Sequence, residues 1–242
     1  MRPIILTELK KIKHSKMWWL VIIGTVIPVI IAYLSHFERV DVTWQIYIHS
    51  AMLNFNVASL LIFSTFAAFL WAREYEDNTI EISMCYPYPK HRFLTVKLML
   101  MLLVIGLAFA LFVITTIILG IMIFSMLPNY DDLRLFINTV FSITVMQFMI
   151  VPGAFFLATL TRNTISGAIW GIVCMFMCMT LYRTGFIQYL PPCIPIVLSS
   201  NLLGMNVIHV NPNYTIHWII LWGYFIGFLI SSYFVIGNKL LD

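Results

Sequence analysis

Six long apolar runs, separated by short polar stretches, dominate this 242-residue sequence. They lie near Met17–Leu34, Ala51–Trp71, Leu98–Leu127, Leu135–Leu160, Ile165–Tyr182 and Trp218–Ile236. Each is long enough to cross roughly 30 Å of hydrocarbon at about 1.5 Å of helix rise per residue. Backbone polar groups in lipid must be bonded within the protein, so such runs form helices. The third run exceeds one crossing and is expected to tilt or to extend beyond the bilayer. The fourth contains Pro152-Gly153, a kink that neighbouring helices must accommodate. Composition agrees, since only 10% of the residues are charged, against about 25% in a soluble domain. The first run follows a basic segment, as a signal peptide would. It has no small-residue cleavage site and five more runs follow it, so it reads as a retained span.

Lysine and arginine set the orientation. With the N-terminus inside, the inner segments hold 11 of the 14 basic residues, and the outer loops hold only Arg39, Arg134 and Arg183. Both ends are therefore expected in the cytoplasm. The net charge of +4 is gathered in these loops, so it points to topology and not to nucleic acid. Trp18, Trp19, Trp44, Trp71 and Trp218 fall near the predicted span ends, where amphipathic rings prefer to sit. Cys85, Cys174, Cys178 and Cys193 make neither a zinc spacing nor a disulfide framework.

Two segments outside the runs have a character of their own. In residues 1–16, Ile5, Leu9 and Ile12 share one helical stripe with Trp19, while Lys10 and Lys13 point away. This suits an amphipathic helix lying in the inner interface beside anionic lipid. Residues 183–217 are too apolar for a solvated outer loop and are broken by Pro191, Pro192 and Pro195. They read as short helices re-entering the membrane, packed against protein.

The inner loop between runs two and three, residues 72–97, carries the most specific pattern. Asn78 and Glu81 have the spacing of a capping box, Glu74, Glu76 and Asp77 complement a helix N-terminus, and Pro87 ends any helix begun there. A short helix is expected from about Thr79 to Cys85. Span five brings Gly167, Gly171, Cys174 and Cys178 onto one face, within about 60° on an ideal helix. Its G-x-x-x-G pair allows close helix approach in lipid, either within one chain or between two.

With these features in view, the chain resembles the permease subunits of ABC-2 type transporters. That family carries an acidic residue, a Gly-Thr, an apolar turn, a Tyr-Pro or Thr-Pro, a Ser-Arg, and a Lys seven residues later. The counterparts here are Glu74 or Glu76, Thr79, Pro87, Lys90 and Lys97. Asn78 stands where Gly is usual and tolerates the same turn, and Pro89-Lys90 replaces Ser-Arg. The small outer loops and the proline-rich segment look most like permeases that protect bacteria against bacitracin or lantibiotics. The resemblance covers the layout of the whole chain.

The resemblance implies an all-α integral membrane fold of six transmembrane helices forming a single permease domain over 1–242. It has an interfacial helix, a cytoplasmic coupling helix and a re-entrant segment. Glu74, Glu76, Asn78, Thr79, Glu81, Pro87, Lys90 and Lys97 would then couple the chain to a separate cytoplasmic ABC ATPase. ATP and Mg would be bound by that partner, with no cofactor or metal on this chain. The same likeness places span five at a dimer interface beside span one, which makes Gly167, Gly171, Cys174 and Cys178 a seam with a second permease copy. Its location would be the bacterial cell membrane and its cargo an amphipathic compound or antimicrobial peptide moved outward.

Several absences fit. The sequence has no G-x-x-x-x-G-K-[ST] loop for nucleotide, and no H-E-x-x-H or G-x-S-x-G motif. Asn138 and Gln147 are the main strongly polar residues at depth and read as interhelical hydrogen-bonding groups. Carriers driven by ions need intramembrane charges, so the energy is expected from outside the chain. A polytopic membrane enzyme of unrecognised chemistry, and an energy-independent channel or assembly factor, stay open as other readings.

Overall fold

The computed structural model describes residues 8–12, 15–37, 42–76, 90–182, 184–204 and 213–238, with the backbone alone at 90–93 and 236–238. A helical turn at 8–12 is followed by α1 (Met17–His36), α2 (Trp44–Glu76), α3 (Lys90–Phe124), α4 (Tyr130–Thr161), α5 (Ile165–Leu181), α6 (Ile194–Leu202) and α7 (Tyr214–Asn238). No strand occurs among the described residues. Five helices, α1 to α4 and α7, are long and apolar enough to cross a membrane. The fifth expected span forms α5, a shorter apolar helix of 17 residues, or roughly 26 Å at 1.5 Å per residue. The chain is therefore a multi-pass helical membrane protein.

α2 is the centre of the bundle. It packs against α1, α3, α4, α5 and α6, and 72% of its most apolar window is buried, against 11% for α7. Small buried residues along it (Ala51, Ser59, Ser64, Ala67, Ala68, Ala72) let several neighbours approach. Phe55 of α2 stacks on Phe112 of α3 at 4.5 Å and meets Phe109 edge-on at 5.0 Å. Phe112 in turn reaches Phe136 of α4. The outward faces of α1, α3 and α7 carry exposed Ile, Leu and Phe, as helices bathed in hydrocarbon do.

The aromatic belt expected from the sequence is only partly present. Trp44 and Trp71 are buried, because α2 runs beyond the predicted apolar core at both ends and its neighbours cover it there. Trp19 is 65% exposed and does not continue the stripe of Ile12. The helix is interrupted at Ser15 and Lys16, so a single helical projection does not run through both segments.

The glycines of α5 pack closely within the chain, one of the two arrangements that the sequence left open. A Cβ on Gly167 would collide with Ala68 and with the Ser64 carbonyl oxygen, and one on Gly171 would lie 2.8 Å from the Leu61 Cα. Cys174 and Cys178 are buried on the same face. Gly167 and Gly171 thus meet α2 inside the chain, and Cys174 and Cys178 lie beside Cys193. At the far end, 184–204 folds as two 3-10 turns, Gly185–Tyr189 and Pro191–Cys193, followed by α6. Every residue of 192–200 is buried, and Asn56 Nδ2 donates to Ser199 Oγ at 3.0 Å.

Candidate functional site

Glu8, Lys11, Arg73, Glu74, Glu76, Lys97 and Arg162 gather at one end of the bundle, where α2 finishes, α3 begins and the N-terminal turn lies against α2. We call this the loop end, because residues 77–89 connect α2 to α3 there. Asn78, Thr79, Glu81 and Pro87 lie outside the described residues, and Lys90 is described only as the first residue of α3. Glu74, Glu76 and Lys97 are described, and each does something the sequence did not show.

Lys97 is 1% exposed and Glu74 is 4% exposed. The Lys97 ammonium donates to the Leu70 carbonyl at 2.6 Å, lies 3.4 Å from Glu74 Oε2 and sits 4.7 Å from the centre of the Trp71 ring. A buried ammonium needs a counter-charge and filled donors, and this one has a carboxylate, a carbonyl and an aromatic face. α2 supplies all three. Both side chains are turned into the chain. They tie the first turns of α3 to the last turns of α2, and so fix both feet of the 77–89 loop.

The N-terminal turn joins the same carboxylate. Lys11 Nζ donates to Glu8 Oε1 at 2.7 Å and to Glu74 Oε1 at 3.4 Å. Arg73 Nη1 donates to the Lys11 carbonyl at 3.0 Å, and its guanidinium lies over the Phe69 ring. Burial alone would lower the Lys11 pKa, but the bonds and charges of Glu8 and Glu74 outweigh it and raise it above lysine's ordinary 10.5. Lys11 therefore stays charged at neutral pH. Between the turn (Glu8, Lys11, Ile12) and the end of α2 (Phe69, Leu70, Arg73) lies a cleft of about 260 Å³.

Glu76 reaches a third element. Its Oε1 accepts the Thr164 backbone N–H at 2.8 Å, in the tight turn between α4 and α5. That turn is made by Arg162, whose left-handed backbone (φ 54) closes α4 through its N–H to the Ala158 carbonyl. Asn163 Oδ1 then accepts the Ile165 N–H at 2.8 Å, satisfying one of the donors that open α5. Arg162 also lies over the Tyr75 ring at 5.6 Å. The last residues of α2 thus hold α3, the N-terminal turn and the α4–α5 turn together.

Elsewhere the structure offers less. An apolar cleft of about 220 Å³ opens between α2, α5 and α6, lined by Leu53, Asn54, Val57, Met179, Tyr182 and Ile196 among others. Asn138 is exposed and Gln147 is buried, so only the second sits between helices. The polar contact between helices that hydropathy did not single out is Asn56, fully buried against Ser199. No group of three side chains able to hold a metal occurs among the described residues.

Residues 4–178 match a family model described as ABC-2 family transporter protein. The match covers well over half of the chain and takes in the loop-end cluster. No curated protein matches it.

Proposed function

The chain belongs to the ABC-2 transporter family, and from that premise we propose that it is the permease half of an ABC exporter, driven through residues 72–97 by a separate ATPase. The observation that carries this reading is the bracing of the loop. Glu74 and Lys97 clamp its two feet, and Glu76 fastens the same end of α2 to the α4–α5 turn. A push on 77–89 would therefore reach α2, α3, α4 and α5 together. A loop on unbraced feet would absorb such a push locally.

In this reading the loop end faces the cytoplasm, α5 makes the sixth crossing, and 184–204 re-enters from the outer side. Eleven of the 14 basic residues on the inner segments support that orientation. Thr79 and its neighbours would seat in the partner ATPase, which would bind ATP and Mg. The lipid-like character of the cleft between α2, α5 and α6 suits an amphipathic cargo, an antimicrobial peptide among them. A second permease copy would complete the transporter through a surface other than the Gly167/Gly171 face.

The test is recovery of the complex. The chain, tagged and solubilised in mild detergent, is expected to bring down a cytoplasmic ATPase bearing a nucleotide-binding loop. Replacing Thr79 with Arg is expected to abolish that recovery while leaving membrane insertion intact. Recovery of a well-folded chain with no ATPase, under conditions that keep other ABC complexes together, overturns the proposal.

A further inference from the structure

Two of the ion pairs at the loop end are each closed within their own part of the chain. Glu8 and Lys11, both on the N-terminal turn, meet at 2.7 Å. Glu74 and Lys97, on α2 and α3, meet at 3.4 Å. Contacts from turn to bundle run between these pairs. Lys11 Nζ reaches Glu74 Oε1 at 3.4 Å, and Arg73 Nη1 donates to the Lys11 carbonyl at 3.0 Å. The buried Lys97 ammonium is attracted by Glu8 and repelled by Lys11, so the two charges of the turn act on it with opposite signs.

Departure of a segment is costly when it leaves a buried charge unpaired. Here, departure of the turn takes Glu8 away with Lys11 and leaves Glu74 with Lys97, so none of these four charges is left alone. What is given up is a bridge whose lysine side chain is 42% exposed, a weak kind of ion pair. The bond from Arg73, at an exposed position, and the cover over buried Ile12 go with it. α1 has a start of its own, because the helix is broken at Ser15 and Lys16 and the Met17 N–H donates to Ser15 Oγ at 3.1 Å. We propose that residues 8–12 form a detachable strap. Docked, it ties the approach to α1 to the end of α2. Released, it moves away as a neutral unit with Ser15 and Lys16 as the joint, and the Glu74–Lys97 pair stays closed behind it. The end of α2, a foot of the 77–89 loop, is then free of the segment that leads into α1. The strap needs no partner, so it stands or falls separately from the ATPase reading.

The full chain, purified in mild detergent, is followed by amide hydrogen exchange with mass-spectrometric readout, alongside its thermal midpoint. In the native chain the amides of 8–12 are expected to exchange more slowly than in an unstructured peptide. They should still exchange long before the buried stretch of α2, since local opening needs less free energy than global unfolding. The Glu8→Gln/Lys11→Gln variant removes both charges of the turn together and leaves the pair in the bundle. It is expected to speed exchange at 8–12 roughly two- to fivefold, the range for a partly exposed ion pair. Exchange along α2 and the midpoint should stay where they were. Exchange of 8–12 at the rate of α2 in the native chain overturns the proposal, because the turn would then open only with the whole bundle. Unprotected amides at 8–12 overturn it too, because the turn would not be docked. So does unchanged exchange at 8–12 in the variant, because the charges would not hold the strap. A midpoint lowered as far as in Lys97→Met would make the turn part of the buried charge network and overturn its separability.

Discussion

Lys97 shows how much of a charged residue's role depends on what surrounds it. In the sequence it is one of several basic residues marking the inner side, and as a member of a family motif it is expected to face a partner. In the fold it is buried with Glu74; breaking a buried pair costs about 3–5 kcal/mol when a charge is left alone, and less here because Lys11 still meets Glu74. Lys97→Met alone is thus expected to lower the thermal midpoint of the detergent-solubilised chain by several degrees. The Glu74→Leu/Lys97→Met double variant is expected to recover most of that loss, as size-exclusion profiles after stepwise heating would show. If the double variant is no better than the sum of the single ones, the pair is not the unit described here. Position and charge were legible for both residues. Burial was not, because it depends on the N-terminal turn and on Trp71, which nothing local to Lys97 announces.

At the scale of elements, hydropathy marked the five long helices and the shorter α5, since lipid leaves the backbone no other choice. It fell short on α2, where Trp44, Tyr47, Ile48 and His49 extend the buried helix ahead of the apolar run. Neighbouring helices cover those residues, and a run of hydropathy carries no record of neighbours. The glycines of α5 were legible as a surface for close approach, but their partner was not. With that partner now placed as α2, Gly167→Leu should overpack the seam and destabilise the chain by roughly 1–3 kcal/mol or more. Gly227→Leu, on an α7 surface with nothing within 4 Å of the added carbon, should leave the melting midpoint unchanged. The three described cysteines are buried and free. In a Cys85→Ser background they should resist maleimide until the chain is denatured, and Cys174 and Cys178 should give no intersubunit disulfide under mild oxidation. An adduct in a functional complex would return the stripe to the dimer interface.

For the whole molecule, the end of α2 is where separate parts meet. Glu76 holds the α4–α5 turn by a single backbone N–H, so Glu76→Ala removes one bond without leaving a buried charge. Stability should fall by only about 1 kcal/mol. If the bracing carries the stroke of a partner ATPase, ATP hydrolysis in the reconstituted complex should persist while transport drops several-fold. Loss of both in parallel would make Glu76 a folding residue only. The six-run layout and the charged loop suggested such a machine from sequence alone. The contacts by which the proposed stroke would pass became visible once Glu74, Glu76, Lys97 and Thr164 were placed in space.

The central position of α2 also has a consequence for how the chain is made. Synthesis runs from the N-terminus, and Thr164, the residue just before α5 that Glu76 grips, comes 88 positions later. At about 5–20 residues per second, α2 waits roughly 4–18 s for the helix that covers Ser64, Ala68 and the backbone between them. During that interval its small and polar face, with Asn56 and Ser59, has neither α5 nor α6 against it. Most of the other spans can settle in lipid on release from the ribosome. The newborn chain must shelter this one until its later neighbours arrive.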